Sequence, residues 1–94
     1  MIQSIAVLNT DKASIYLKKF CRHFAHKLTV EFDDHNGSVE FPFGDCTVVA
    51  QGEELTLSLS ASSVENIDRA EQVAGSHMER FAAKDELKVV WQRR

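Results

Sequence analysis

The residues best suited to bind a ligand are concentrated in one basic segment, Leu17 to Lys27. This segment holds two of the four histidines, one of the two cysteines and four of the eleven basic residues. His23 and His26 are three positions apart, so both imidazoles would project from the same side of a helix. Neutral imidazoles bind metals, and protonated ones bind anions. The spacing therefore indicates either a metal site or an anion site.

A metal site at this segment needs a third ligand. His77, on the flank of a second predicted helix, would supply it if the two helices pack side by side. Cys21 falls on the buried side of the first helix, and no carboxylate is spaced to complete the set. The metal hypothesis therefore depends on His23, His26 and His77.

The alternative is a site for a small anionic ligand, such as a carboxylate or a phosphate. Positive charge and hydrogen-bond donors would come from five residues, Lys19, His23, His26, His77 and Arg80. A simpler interpretation is that Lys19 and Arg80 are surface charges that pair with neighbouring carboxylates.

Catalytic arrangements are poorly represented. Helical spacing points Cys21 inward and the nearby histidines outward, which separates a nucleophile from its base. The adjacent carboxylates Asp33-Asp34 and Glu53-Glu54 would face opposite ways in extended chain, so neither pair suits general acid and base chemistry. The sequence contains no Gly-rich phosphate loop, G-x-S-x-G, H-E-x-x-H or EF-hand motif. We predict a binding or accessory module, not an enzyme.

Composition sets the class of protein. The 94 residues predict one domain, residues 1–94, with 44% hydrophobic and 27% charged residues and a net charge of −3. Positive charge is confined to one helix, which disfavours nucleic acid as a partner. No stretch approaches the roughly 20 apolar residues that span a bilayer, so no membrane partner is expected. Two distant cysteines favour reduced thiols and a cytoplasmic location.

The basic segment belongs to the first predicted helix, which follows a short apolar strand, Ser4 to Asn9. We expect Thr10 to cap this helix. Apolar residues recur at helical spacing and predict its buried face: Ala13, Leu17, Phe20, Cys21, Phe24 and Leu28. A neighbouring stripe, predicted to lie off the core, contains Lys12, Tyr16, Lys19, His23 and His26.

Beyond Lys27 the hydrophobic period changes from helical to two, which predicts strands over 28–32, 38–43, 46–50 and 55–59. Val30 and Phe32 would point inward. Asn36-Gly37 predicts a hairpin turn between the first two of these strands. Pro42 cannot donate to a ladder, so the second strand is predicted to lie at an edge or to end in a bulge. The outward positions of these strands are mostly polar, so we expect one face of the sheet to be in water and the other to be covered by helices.

A second helix supplies the predicted cover. Ser62 and Glu65 have the spacing of a capping box. The predicted buried stripe is Val64, Ile67, Ala70, Ala74, Met78 and Phe81. Gly75 within the helix suggests close approach of a neighbour, and 87–91 predicts a last strand. The order β-α-β-β-β-β-α-β predicts an α+β two-layer sandwich, with two helices on one face of a largely antiparallel sheet.

Four segments together resemble, almost end to end, the bacterial domain of unknown function 2218 family. They are Cys21-x-His-Phe-x-His-Lys27, Phe41-x-Phe-Gly44, His77-Met-Glu-Arg-Phe-Ala82 and the closing Leu-x-Val-x-Trp-Gln92. Some members are fused to, or lie near, siderophore-interacting flavoproteins. The resemblance therefore implies an accessory link to siderophore or iron utilisation and such a flavoprotein as a partner. It supplies no reaction and no catalytic residues.

The functional expectation is a small cytoplasmic binding or accessory module. One alternative is a metal- or siderophore-linked enzyme subunit. Another is a purely structural dimeric interaction domain, with a homodimer formed through the Val39–Phe43 edge and the small polar outer face.

Overall fold

The computed structural model describes all residues, 1–94. Its strands are β1 (Ile2–Asn9), β2 (Thr29–Phe32), β3 (Asn36–Phe41), β4 (Gly44–Gln51), β5 (Glu54–Ala61) and β6 (Gln92–Arg93). Its helices are α1 (Ala13–Ala25) and α2 (Val64–Phe81), and a short 3₁₀ turn covers Ala83–Asp85. The predicted order of elements is confirmed.

The six strands form one sheet in the order β2-β3-β4-β5-β1-β6, and every pairing is antiparallel. Register aligns the inward residues of neighbouring strands, as in the row Ser4, Leu59, Cys46 and Val39. Both helices pack on this inward face, α1 over β2 to β5 and α2 over β1, β4 and β5. The predicted two-layer sandwich is confirmed.

The core lies between the two layers, where the apolar stripes of both helices meet alternate strand residues. From α1 the core takes Ala13, Leu17, Phe20, Cys21 and Phe24, and from α2 it takes Ile67, Ala70, Ala74 and Met78. Two residues predicted to be buried are exposed. Val64 is 59% exposed at the start of α2, and Phe32 is 38% exposed because β2 is an edge strand.

The start of α1 differs from the prediction. Lys12, not Thr10, occupies the N-cap position, and it provides no side-chain cap. Thr10 instead accepts a hydrogen bond from the Lys12 N–H at 3.0 Å through its hydroxyl oxygen. Tyr16, predicted to lie off the core, is only 3% exposed. Its hydroxyl donates to Asp85 in the segment after α2, a tertiary contact that helical spacing does not reveal.

The β2–β3 turn lies before the predicted Asn36-Gly37 pair. Gly37 is within β3 and pairs with Phe32. The turn is closed by Asp33, whose Oδ1 accepts the backbone N–H groups of His35 and Asn36, both at 2.8 Å. Gly37 is needed for packing, since a Cβ there would lie 2.6 Å from Cys21 Sγ.

The prediction that Pro42 marks an edge strand is wrong. Strand β3 lies between β2 and β4 and ends at Phe41, which pairs with Gly44. Pro42 and Phe43 are therefore the two residues of a tight turn, where a missing N–H costs nothing and a fixed φ is useful. Gly44 permits close packing, because a Cβ there would lie 2.5 Å from the Ser60 carbonyl oxygen.

The C-terminal half of the chain also differs from the predicted structure in two details. The N-cap of α2 is Ser63, not Ser62, and its hydroxyl accepts the Asn66 N–H at 3.1 Å. Residues 87–91 do not form the predicted strand; only Gln92 and Arg93 pair with β1. The predicted close approach at Gly75 is confirmed, since a Cβ there would lie 3.0 Å from Trp91 Nε1.

Candidate functional site

The two helices bring His23 and His77 together. Their ring centroids are 4.9 Å apart, and both rings also contact Phe24, at 4.9 Å and 5.1 Å. Phe81 lies 5.5 Å from His23 on the α2 side. The side-by-side packing of α1 and α2 that places His77 near His23 is thus present.

His77 is held in one orientation by its own helix. Its Nδ1 lies 2.7 Å from the Val73 carbonyl oxygen. Because a carbonyl oxygen only accepts, Nδ1 carries the proton in this contact. In the neutral ring, Nε2 is then the free acceptor nitrogen.

A groove of about 540 Å³ opens beside this histidine pair, between the end of α1 and the β3–β4 turn. We call it the α1–turn groove. Its polar lining comes from α1 and the residues just after it: His23, His26 and Lys27. Its apolar lining is Phe24, Leu28, Phe41, Pro42, Phe43 and Val73.

Interlocked aromatic rings fix the apolar side of the α1–turn groove. Phe41 and Phe43 stack with centroids 5.1 Å apart and an interplanar angle of 9°. Phe24 meets Phe41 edge-on at 4.9 Å. On α2, the Arg69 guanidinium lies 6.0 Å from the centre of the Phe43 ring. Such ring contacts hold the turn firmly against α1.

The charged groups that act on His23 in the groove are all basic. Burial lowers the pKa of His23, and the nearby basic groups His77, Arg80, His26 and Lys27 lower it further. No carboxylate acts on His23 to stabilise its protonated form. The ring is therefore held toward its neutral form by surroundings that already carry positive charge.

Three basic residues elsewhere pair with carboxylates, whereas Lys19, Arg22, Lys84, Lys88 and Arg94 make no ion pair. Lys12 pairs with Asp85 at 3.5 Å, Lys18 with Asp34 at 2.9 Å, and Arg93 with both Asp68 and Glu71. None of the basic residues around the groove makes an ion pair: His23, His26, Lys27, Arg69, His77 and Arg80.

The predicted ligand-binding residues are brought together in part. His23 and His26 line the groove, His77 touches His23, and Arg80 acts electrostatically on His23. Lys19 is exposed on α1, one turn before His23, and does not line the groove.

The predicted metal ligands do not assemble into a metal-binding set. No group of three or more His, Cys, Asp or Glu side chains is arranged to hold a metal ion. His23 contacts His77 and lines the groove together with His26, but the three rings do not form one ligand set. Two imidazoles alone leave a transition metal short of the usual protein ligands.

The two cysteines and the Asp33-Asp34 pair contribute to the fold and do not form a catalytic site. Cys21 and Cys46 are free and buried. Burial raises the pKa of Cys21 to about 11 and that of Cys46 still further, so neither is a thiolate at neutral pH. Asp33 closes the β2–β3 turn while Asp34 pairs with Lys18, so these two carboxylates do not act as a pair.

A second charged cluster, which we call the C-terminal clamp, fastens the chain end. Arg93 donates to Glu71 through Nε at 3.0 Å and through Nη2 at 2.9 Å, and it also contacts Asp68. Glu71 accepts a further hydrogen bond of 2.6 Å from the hydroxyl of Ser4, which is fully buried. The Arg93 guanidinium and the Ser4 hydroxyl keep the pKa of Glu71 low despite partial burial.

Comparison with known proteins identifies the family. The sequence matches, over residues 5–92, the DUF2218 family, described as uncharacterized proteins conserved in bacteria. The chain belongs to this family. It is similar to the NMR structure of PA4090 from Pseudomonas aeruginosa, with 25% sequence identity and a TM-score of 0.81. That alignment covers 98% of this chain and 96% of the other. No curated protein matches the chain.

The similarity to this solved structure supports the α+β fold independently of the hydrophobic periodicity. Neither the family description nor that structure assigns a substrate, reaction or partner to this chain. Neither α-helix has the length and apolar character that crossing a membrane requires.

Several groove residues were not among the predicted ligand-binding set. Lys27 lies in the basic segment but outside the predicted ligand set, and the alternation over 38–43 predicts a strand where the structure has a turn at Pro42 and Phe43. The available signal was the aromatic-Pro-aromatic-Gly sequence, which is typical of a turn that displays its two rings. The contribution of Val73 depends on how α2 crosses α1, which no local pattern specifies.

Proposed function

We propose that this protein is a non-catalytic binding module that takes a small anionic ligand in the α1–turn groove. One observation carries the proposal. The groove and its surroundings gather basic side chains that have no carboxylate partner, in a chain whose net charge is −3 with its histidines neutral. A bound carboxylate or phosphate would supply the missing negative charge.

The helix dipole does not account for this accumulation. The C-terminal end of α1 carries a partial charge of about −0.5. Lys27 and Arg80 already exceed that charge at neutral pH, before any histidine is protonated. A preorganised cluster with excess positive charge favours binding of an anion.

The chemistry of the groove favours binding over catalysis. Its polar groups are bases and cations, and no serine, cysteine or carboxylate lies among its lining residues. A nucleophile paired with a base, or an acid paired with a base, is the usual minimum for covalent or proton-transfer catalysis. An enzyme subunit linked to metal or siderophore is therefore the weaker proposal.

The link to siderophore or iron utilisation enters the proposal as a ligand class. Siderophores that bear carboxylate or catecholate groups would offer the negative charge that the groove lacks. Both cysteines are thiols, which accords with the predicted cytoplasmic location. A ferric siderophore is therefore a suitable probe of the groove.

Association with a second copy or with a flavoprotein is the competing function. On the sheet face that no helix covers, Val7 is 51% exposed and Val49 is 37% exposed. Charged residues that point outward from β1 to β5 are all acidic: Glu31, Glu40, Asp45 and Glu54. Like charges disfavour stacking two copies through this face, so we rank ligand binding above homodimer formation.

The test is an amide NMR titration with octanoate, inorganic phosphate and a ferric siderophore, one at a time. We expect at least one probe to give saturable shifts centred on His23, His26 and Lys27. Lys27→Gln should weaken that binding about tenfold, since it removes one charge-assisted hydrogen bond.

Lys88→Gln is the matched control, because Lys88 is exposed and does not line the groove. The Lys88→Gln variant should bind the ligand with the same dissociation constant as the unmodified protein. Spectra that stay unchanged with all three probes, or shifts that Lys27→Gln and Lys88→Gln weaken equally, would overturn the proposal.

A further inference from the structure

We infer that the ligand of the α1–turn groove is an amphipathic organic acid, with an acyl or aryl body attached to a single anionic group. The inference rests on the proposed function, since it specifies the chemical class of the same anion. The charged group would lie at His23, His26 and Lys27, and the apolar body against Phe41, Pro42 and Phe43.

The lining of the groove is divided in the way that such a ligand requires. Its three polar residues all come from α1 and the residues just after it, a segment that also contributes the apolar Phe24 and Leu28. The end of β3 and the β3–β4 turn contribute only apolar residues, Phe41, Pro42 and Phe43. An inorganic anion would contact the polar residues only and would leave this apolar stretch in water.

The size of the groove also favours an organic molecule. At about 540 Å³, it falls within the range of about 300–1,000 Å³ that is typical of small-molecule sites. Such sites are mostly apolar and carry a few polar groups that orient the ligand. A hydrated phosphate needs neither the volume nor the aromatic wall.

The apolar side is preformed. Phe43 is stacked on Phe41 and faces Arg69, while Phe24 meets Phe41 edge-on. Pro42 fixes φ at the first position of the turn. A wall that is already ordered before binding costs little conformational entropy, which increases the affinity for a matching apolar body.

The experiment uses a series of ligands that share one charged group and differ in their apolar bodies. Acetate, butanoate and hexanoate are titrated into the protein by NMR, with benzoate as the aryl member. We expect the affinity to rise about fourfold for each CH₂ that enters the groove. We also expect 1-hexanol, which lacks the charge, to bind about tenfold more weakly than hexanoate.

Two variants of α2 locate the apolar body. Val73 lines the groove, whereas Val64 lies on the same helix, is exposed and does not line it. Val73→Ser should weaken hexanoate about fivefold and leave acetate nearly unchanged, because the lost methyl groups contact only the longer ligand. Val64→Ser should change neither affinity.

The outcomes separate this inference from the proposed function. If acetate and phosphate bind as tightly as hexanoate, the ligand need not be amphipathic, and only this inference is overturned. If 1-hexanol binds as tightly as hexanoate, the groove is a neutral apolar site and the anion proposal is overturned. If no member of the series binds, this inference is overturned, and the anion proposal falls with it only when phosphate and the ferric siderophore also leave the spectra unchanged.

Discussion

The α1–turn groove and the C-terminal clamp are both charged, but they use charge in different ways. In the clamp, Arg93 meets two carboxylates, and the Glu71 carboxylate also satisfies the buried Ser4 hydroxyl. In the groove, His23 and Lys27 have basic neighbours and no carboxylate. The clamp satisfies its charges within the fold, whereas the groove leaves them available.

This difference separates a structural cluster from a candidate binding site by a physical criterion. A group whose partners are all supplied by the chain contributes to stability, and its removal leaves those partners unsatisfied. A set of like charges without partners contributes little to stability or reduces it, and it remains available to an external anion. Substitutions in the two regions should therefore affect different measurements.

The largest effect should follow from Glu71→Ala in the clamp. This substitution leaves the buried Ser4 hydroxyl without its acceptor and releases Arg93. We expect the free energy of unfolding, measured by urea denaturation, to fall by about 2–3 kcal/mol. Glu71→Gln can still accept the hydrogen bond from Ser4, so it should lower the free energy of unfolding by less. Unchanged stability for Glu71→Ala would contradict the structural assignment of the clamp.

An intermediate effect is expected at Tyr16, which donates a hydrogen bond to Asp85 and thereby joins α1 to the segment after α2. The hydrogen bond to Asp85 and burial raise the pKa of Tyr16 to about 12. Tyr16 is the only tyrosine, so the ultraviolet absorbance of tyrosinate reports it directly. We expect a titration midpoint near 12, and a lower midpoint in Asp85→Asn.

The sign of the linked stability follows from the direction of that shift. Because the pKa of Tyr16 is higher in the folded protein than in the unfolded chain, the stabilisation is complete below pH 10. It is lost as pH rises through about 12. Tyr16→Phe should lower the free energy of unfolding by about 1–2 kcal/mol at pH 7 and should flatten this alkaline loss. An unchanged alkaline profile would argue against the contact.

The smallest effect on stability is expected at the groove. Arg80 has no carboxylate partner, so Arg80→Gln should change the free energy of unfolding by no more than about 0.5 kcal/mol. The same substitution removes one of the charges that lower the pKa of His23. The pKa of His23, followed by the chemical shifts of its ring in NMR, should therefore rise toward its ordinary value.

The pH dependence at His23 has the opposite sign to that at Tyr16. A histidine whose pKa is lowered by folding contributes stability above its unfolded pKa of about 6.5, and this contribution is lost as pH falls through the folded pKa. Arg80→Gln should make this acid-side loss smaller. A large loss of stability at pH 7 in Arg80→Gln would show that the groove charges serve the fold, as those of the clamp do.

Local sequence patterns located the elements well where one face is buried along its whole length. Leu55, Leu57 and Leu59 alternate with polar residues, and the helical stripe from Ala13 to Phe24 matches the buried face of α1. Such periodicity follows from backbone geometry, which is the same in any protein. The element order and the α+β class followed from it.

Local patterns failed where long-range packing selected the conformation. Asn36-Gly37 has the composition of a hairpin turn, but Gly37 lies within β3 and pairs with Phe32, at a point where a Cβ would collide with Cys21 Sγ. Residues 87–91 alternate like a strand, yet they pack against the core through Leu87, Val89 and Trp91 without ladder pairing. Propensity is weak compared with a close side-chain contact from a distant element.

For the candidate site, local spacing was enough to predict the donors on α1, since His23 and His26 lie on one side of any helix. Three further features came from the packing of distant elements: His77 and Arg80 join these donors, Lys19 does not line the groove, and Phe41 and Phe43 form its apolar wall. A helix fixes directions within one element only. The concavity and unbalanced charge of the groove arise from the packing of α1, α2 and the β3–β4 turn against one another.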